Sequence, residues 1–508
     1  MNRPDGVPRG ALAAVRERLT PTARHSERTL MLGTILLLSA VSAATVFVLT
    51  QYYSVDALSS LVYLPQDCFL DWGMHVGRHC FSDYPVIVSI GLQPNPWQPN
   101  PIFQSSYSNG SAPVNYLASG MVPHLLFGAP AHWLGAPQLG LFAYLLVLTT
   151  AVLSPAVWAA RGARGLERVV VFVACGAAAI PVWAAIDRGN SAGFVAPIGL
   201  VFLVALCRRR WGLVALMVIL AAIVKPQFAV LAVALFAARQ WRWGGLAVAG
   251  TVISNLAAYL LWPRDFPDTI VQSIRGTLGY GSGSFGSLVG GYNVSFAKGL
   301  LLIPDNIAAL NAGGRVPEGF LAGPRLLLGY VVLVLVAVAV VALGRRIPPV
   351  MVGIVLLATA SLFPALTSFY YLVFALPVAA LVARDPAGPP GCGIFDRLTT
   401  LGDRRRAAGI CVSLAAALSI AQIALPSPPS QAEIPGQLGA TEIFGTTPIV
   451  GTTVALAPIA WLIVCAAIIV SYARRPAPPH PEVTAGRAGM APTDTSTYAP
   501  SAQLGLAQ

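Results

Sequence analysis

The chain has 508 residues, of which 56% are hydrophobic and only 10% charged, and it carries a formal net charge of +12. No water-soluble domain of this length shows that balance and no disordered chain holds so many apolar residues, so the composition points to an all-α polytopic membrane protein. Thirty of the 32 basic residues are arginine, which together with abundant Ala, Gly and Pro suggests a GC-rich bacterial genome.

Residues 1–28 are basic and aperiodic and read as a disordered cytoplasmic tail, with a second such tail at 473–508. Between them, at 29–472, apolar runs recur. About 20 helical residues cross a hydrocarbon core about 30 Å thick, and twelve spans are predicted, at 29–50, 138–160, 167–186, 190–207, 211–225, 226–240, 243–262, 321–343, 348–366, 369–383, 408–425 and 449–472. The first follows a long basic stretch without a small-residue cleavage site and reads as a retained anchor.

Arginine placement sets the expected orientation. The clusters Arg3 to Arg28, Arg161/Arg164/Arg168, Arg208–Arg210, Arg239/Arg242, Arg345/Arg346, Arg384 with Arg397 to Arg406, and Arg474/Arg475 all fall on one side of the twelve-span arrangement. Cytoplasmic loops collect Lys and Arg, so both termini are expected in the cytoplasm of a bacterial inner membrane. The basic charge thus reports topology, not nucleic-acid binding.

Two long loops, 51–137 and 263–320, then lie outside. Within the first, 114–134 is apolar but carries Pro123 and His124, and reads as interfacial or re-entrant. Pro94–Pro101 is turn-forming. Long loops gathered on one face suit an enzyme site, whereas a transporter keeps its site near the midplane between repeats, and no internal repeat is evident.

The first loop concentrates Asp56, Asp67, Asp71, His75, Arg78, His79 and Asp83. Asp67, Asp71, His75, His79 and Asp83 recur every fourth position, but a helical stripe drifts about 40° per step, so not all can converge. An amphipathic surface helix and a catalytic carboxylate among Asp67, Asp71 and Asp83 are both open readings. His75 and His79 have zinc-like spacing without the glutamate of a metalloprotease motif, so no metal is assigned, although a divalent cation stays open. Cys68 and Cys80 share this loop, where a disulfide can form; a straight helix would hold them about 18 Å apart and forbid it.

Farther along, Asp187-Arg188-Gly189-Asn190 joins two spans and Lys225-Pro226-Gln227 joins the next two. The spans around Lys225 are short, which puts its ammonium at or below the surface, facing a cavity and suited to a phosphate; the plainer reading is a lysine snorkelling to the headgroups. The second loop carries Arg264, Asp265, Asp268 and Arg275, then the glycine-rich Gly279 to Gly286, which suits a flap, and then Tyr292-Asn293-Val294-Ser295-Phe296. A buried Asn293 and Ser295 would need partners, and sugar hydroxyls are candidates.

These residues resemble glycosyltransferase family 87, polyprenol-phosphate-sugar-dependent enzymes of the GT-C class that include bacterial mannosyltransferases. The resemblance runs over about residues 30–380. Asp187 to Asn190 followed by Ala222-Ile223-Val224-Lys225-Pro226-Gln227 looks like the family's Gly-Asn and Lys-Pro elements, and Asn293 to Phe296 looks like its Asn-x-Ser-Leu element. Many relatives place a Trp and one or two His where this chain has Phe363-Pro364 and Ser368-Phe369-Tyr370-Tyr371.

The resemblance implies transfer of mannose or a pentose from a polyprenyl-phosphate donor to a lipid or polysaccharide acceptor on the extracytoplasmic face. Asp67, then Asp71 or Asp83, would be the general base of a single inverting step. Lys225, Arg188 and Arg264 would stabilise the departing phosphate, and Asp187, Asn190, Gln227, Tyr292, Asn293 and Ser295 would line the substrate site. Membrane lipids are the other expected partners. A polytopic transporter or lipid flippase, and a polymerase using a diphosphate donor, are the competing expectations.

Overall fold

The computed structural model describes residues 26–53, 81–98, 114–280, 285–426, 430–434, 443–447 and 450–475. The protein is almost wholly helical. Helix α1 (Glu27–Tyr53) is followed by α2 (Asp83–Gly91), α3 (Ala118–Trp133) and α4 (Pro137–Ala160). Helix α5 (Leu166–Phe172) passes through a π-helical turn at Val173–Ala177, bends by 44° and continues as α6 (Ile180–Arg188). A 3-10 turn, Ser191–Phe194, opens α7 (Val195–Cys207), and α8 (Trp211–Val224) leads through the 3-10 segment Pro226–Ala232 to α9 (Val233–Ala237) and α10 (Trp241–Ala258).

The chain then forms α11 (Asp268–Tyr280), α12 (Phe285–Val289), α13 (Phe296–Leu300) and α14 (Leu302–Asn311) before the long α15 (Ala322–Leu343). Helix α16 (Pro349–Leu362), a 3-10 turn at Phe369–Phe374 running into α17 (Ala375–Ala383), α18 (Ile394–Thr400), α19 (Arg406–Ile420) and α20 (Ala457–Arg474) complete the helices. The sequence reading did not foresee two antiparallel ribbons between α19 and α20. One pairs β1 (Ala424–Pro426) with β4 (Val450–Thr452), and the other pairs β2 (Ser430–Ile434) with β3 (Ile443–Thr447).

A helix stands at each of the twelve expected runs, yet length and composition qualify five as crossings by themselves: Glu27–Leu49, Pro137–Ala160, Trp241–Leu261, Ala322–Arg346 and Thr453–Arg474. The bent α5–α6 pair makes a sixth, and the remaining apolar helices have 10–17 residues. Burial explains the division. Helix α15 leaves Leu327, Val334, Leu335 and Val338 more than half exposed, as a lipid-facing helix does. In contrast, every residue of α16 from Val350 to Leu362 and every residue of α17 is buried.

Helices apolar on every side need neighbours on every side: α16 and α17 are enclosed in this way, while α7 and α8 pack beside them and leave Val201, Leu216 and Leu220 partly exposed. At 1.5 Å per residue the 14 residues of α8 rise about 21 Å, short of a bilayer core. Close contact depends on Gly329 in α15: a Cβ there would stand 1.8 Å from the Phe363 carbonyl oxygen at the end of α16.

Among the described residues, arginines of several of the sequence clusters gather at one end of this bundle. Glu27, almost fully buried, pairs with Arg404 at 2.7 Å and Arg406 at 2.9 Å, and Arg28 pairs with Glu167 and donates to the Ala383 carbonyl. Arg384 donates to the Trp158 carbonyl, Arg397 to Cys207 and Arg208 to Pro386. The ends of α1, α4, α5, α7 and α17 to α19 are thereby tied together. Glu27 and Arg28 belong to α1, so the first helix begins earlier than its apolar run suggests: Glu27 is held by ion pairs instead of by lipid.

Candidate active site

Asp83 is the first residue of α2, where the unpaired N–H groups of a helix start favour a carboxylate. Its Oδ1 accepts from the Arg188 guanidinium at 2.8 Å and its Oδ2 from the Asn190 amide at 2.5 Å. The same amide donates to the Tyr116 hydroxyl at 3.2 Å, while Asn190 Oδ1 caps the following turn by accepting from the Ala192 N–H at 2.8 Å. Gly189 makes this turn possible. It sits at φ +60°, in the left-handed region, and a Cβ would come within 3.0 Å of the Phe81 carbonyl oxygen.

Burial pushes the Asp83 carboxyl up to about 6, against the opposing pull of the Asn190 hydrogen bond and the Lys225 charge. The group is therefore poised to take a proton near neutral pH, the property a general base needs. Desolvation likewise raises the Tyr116 hydroxyl well above the ordinary range, and the charge of Asp83 adds to that.

Lys225 breaks the helix between α8 and the following 3-10 segment and is 7% exposed. Its ammonium lies 4.0 Å from the centre of the Tyr116 ring and 5.9 Å from that of Tyr371. Among the described residues it makes no ion pair with a carboxylate. Tyr370 stacks on Tyr371 at 5.1 Å and lies 5.9 Å beneath the Arg188 guanidinium. Asp83 and Arg188 pair with each other, and Lys225 stands beside them against aromatic faces in the same cluster.

Tyr116 is fixed there by a small second core. Trp97 donates its indole N–H to the Tyr116 carbonyl at 2.8 Å and packs edge-on against Trp262, which donates to the Gly91 carbonyl at 2.9 Å. Asn95 and Gln98 both donate to Asp265. Asn95 and Gln98 are thus bonded to the start of the second loop. His124, wholly buried in α3, stacks on Tyr144 at 5.2 Å and lies 3.3 Å from the Gly189 carbonyl, so it supports the Arg188–Asn190 turn. Helix α3 runs unbroken through Pro123 for 16 residues.

Of the sequence candidates, Asp83, Arg188, Asn190 and Lys225 come together. Asp67 and Asp71, with His75, His79, Cys68 and Cys80, lie outside the described residues. Asp187 is buried one residue before Arg188. Tyr292 is part-buried: burial raises its hydroxyl, against the opposing pull of the Ser287 hydrogen bond and the Arg188 charge.

Gln227 is turned to α16, donating to the Ala360 carbonyl at 3.1 Å. Asn293 has no capacity left for a sugar. Its amide donates to the Leu288 and Ala365 carbonyls, and its oxygen accepts from the Ser295 and Thr367 N–H groups. Its part is to clamp the 288–295 segment to the turn before Tyr370. Ser295 caps α13 by accepting from the Lys298 N–H, so its hydroxyl also serves the backbone.

Arg264 is exposed and has no described contact with Asp83 or Lys225. Lys298, Asp305 and Arg325 form a buried ion triad in which Lys298 also holds the Val289 carbonyl at 2.7 Å, steadying the segment before Tyr292. The sequence reading missed Tyr116 as a site residue and noted Tyr370 and Tyr371 only as a departure from the family pattern. Tyr116 stands at the start of the apolar 114–134 run, where a single tyrosine carries no periodic signal of its own.

Among the described residues no three His, Cys, Asp or Glu side chains gather as a metal site would require. Comparison with family models, curated proteins and solved structures gives no match. The reading of the cluster therefore rests on its own chemistry: a buried carboxylate of raised pKa, a cation on aromatic faces, and hydrogen-bonding groups between them.

Proposed function

We propose that the chain is a bacterial inner-membrane glycosyltransferase of the GT-C kind, with twelve crossings, both termini cytoplasmic and its recess open to the extracytoplasmic side. It moves a mannose or pentose from a polyprenyl-phosphate donor to a lipid or polysaccharide acceptor. The observation that supports the reading is the buried cluster of Asp83, Arg188 and Lys225 with Tyr116, Tyr370 and Tyr371, in which Asp83 would serve as base and Lys225 as the cation that holds a phosphate. Tyrosine faces suit a sugar ring, and a recess at the ends of short helices is reached sideways by a lipid-borne donor.

In the proposed step the acceptor hydroxyl oxygen attacks the anomeric carbon and its proton passes to a carboxylate, Asp83 or one of Asp67 and Asp71. The glycosidic C–O bond forms as the C–O bond to phosphate breaks. The electron pair leaves with the polyprenyl phosphate, whose growing charge Lys225 and Arg188 offset. No metal is required for this balance.

The test offers radiolabelled polyprenyl-phosphate mannose and polyprenyl-phosphate arabinose, with membrane lipid extract, to the purified protein in nanodiscs alongside Asp67→Ala, Asp71→Ala and Asp83→Ala. Transfer lost in at least one variant supports the reading; no transfer from either donor by folded protein overturns it. Orientation is tested separately in a cysteine-free background. A membrane-impermeant maleimide added to intact cells should label Glu318→Cys and spare Thr400→Cys, and the reverse pattern would invert the assignment.

A further inference from the structure

The arginine-rich end of the bundle holds a crevice that the proposed chemistry does not use. It has a volume of about 320 Å³ and is lined by Val157, Ala160, Arg161, Arg168, Val169 and Phe172, between the last turn of α4 and the first turns of α5. Its walls are apolar, and Val157 and Val169 are substantially exposed for buried-bundle residues. Both arginines stand at its mouth, where α4 ends and the chain turns into α5. Phe172 lies four residues beyond Arg168 in α5 and Val157 four residues before Arg161 in α4, each about 6 Å along its helix from the arginine, while Val169 stands beside Arg168.

The rim carries uncompensated positive charge. Among the described residues neither Arg161 nor Arg168 meets a carboxylate, and the nearby acid, Glu167, is turned into its ion pair with Arg28. Arg161 and Arg208 are both close enough to Arg384 to lower its pKa, an effect second only to that of burial. On the other side of α4, a cavity of about 120 Å³ beside Trp158 repeats the pattern, with Val201, Val204 and Leu213 as wall and Arg208 and Arg210 as rim.

We propose that the crevice between α4 and α5 is a seat for an anionic phospholipid, its phosphate held by Arg161 and Arg168 and its acyl chain lying against Val157, Val169 and Phe172. The depth order matches such a molecule: charge at the end of the helices, hydrocarbon about one turn inward. Guanidinium groups bind a phosphate in two-pronged fashion and keep their charge in a part-apolar setting, which suits arginine to this rim. The seat is at the opposite end of the bundle from any use of Asp83, so it concerns the state of the protein in the membrane and stands whether or not sugar transfer is found.

Native mass spectrometry of the full-length protein, titrated with phosphatidylglycerol or phosphatidylcholine of equal chain length, tests the seat. Two juxtamembrane arginines correspond to about thirtyfold tighter retention of phosphatidylglycerol. Arg161→Gln/Arg168→Gln should bring it to within about twofold of phosphatidylcholine. Val157→Trp, which fills the crevice from a part-exposed position, should weaken retention without lowering the melting temperature. Equal retention of the two lipids, undiminished phosphatidylglycerol binding in the double arginine variant, or indifference to Val157→Trp would each overturn the proposal. So would displacement of the lipid by millimolar glycerol 3-phosphate, which would assign the arginines to a free phosphate.

Discussion

Replacing Asp83 by Asn separates its charge from its shape. The rise of the Asp83 carboxyl from 3.8 to about 6 corresponds to about 3 kcal/mol by which the fold disfavours the ionised form. Because the folded-state pKa lies above the unfolded one, the fold binds the proton more tightly, and stability falls as pH rises through about 4 to 6. At pH 7 the carboxylate is thus a destabilising group that Asn relieves, while Arg188 loses an anionic partner. The two effects oppose, so the melting temperature at pH 7 should move by only a few degrees. Activity has no such compensation.

Loss of a general base lowers kcat by about 100-fold to 10,000-fold. For the unmodified protein, kcat/KM should rise with pH to half its plateau near pH 6, since only the ionised group accepts a proton, and the variant should lack that limb. The assay is initial-rate transfer of labelled sugar from pH 4.5 to 8.5, with melting curves on the same samples. Transfer by Asp83→Asn above a tenth of the original rate, with the acid limb unchanged, would refute the base assignment and return it to Asp67 or Asp71.

Lys225→Ala removes the cation over Tyr116; a charge-assisted phosphate contact contributes about 1.5–3 kcal/mol, so kcat/KM for the donor should fall about 10-fold to 100-fold, read by donor titration, with unaltered kinetics counting against the phosphate role. Asn293→Ala strands two carbonyls and two N–H groups and should cost about 3 kcal/mol or more, seen as a clear drop in melting temperature, whereas a sugar-binding residue would change KM at constant stability. Gly329→Ala drives a Cβ against the Phe363 carbonyl and should reduce the yield of monodisperse protein, while Gly323→Ala, which meets nothing within 4 Å, should not; gel filtration in detergent compares them.

Much of the helix pattern was legible because it is local. Apolar runs and arginine punctuation repeat along the chain, and they mark the places where α1, α4, α10, α15 and α20 stand. The Asp187 to Asn190 turn and Lys225 were legible for a related reason: charged groups at breaks between apolar runs stand out against lipid. What sequence alone could not do was choose among the first-loop aspartates. Asp67 and Asp71 lie outside the described residues, and the partners of the Asp83 carboxylate lie more than 100 residues away, at Arg188 and Asn190.

Asn293 shows the same limit from the other side. Its type and burial were expected, yet whether its amide faces a ligand or four backbone groups depends on where the 365–367 turn lands. Composition and periodicity determined the class of this protein and the order of its helices, since each helix closes its own backbone hydrogen bonds. The tertiary structure decided which short helices form the interior and which side chains meet in the recess, because those contacts join residues whose separation in the chain follows no period.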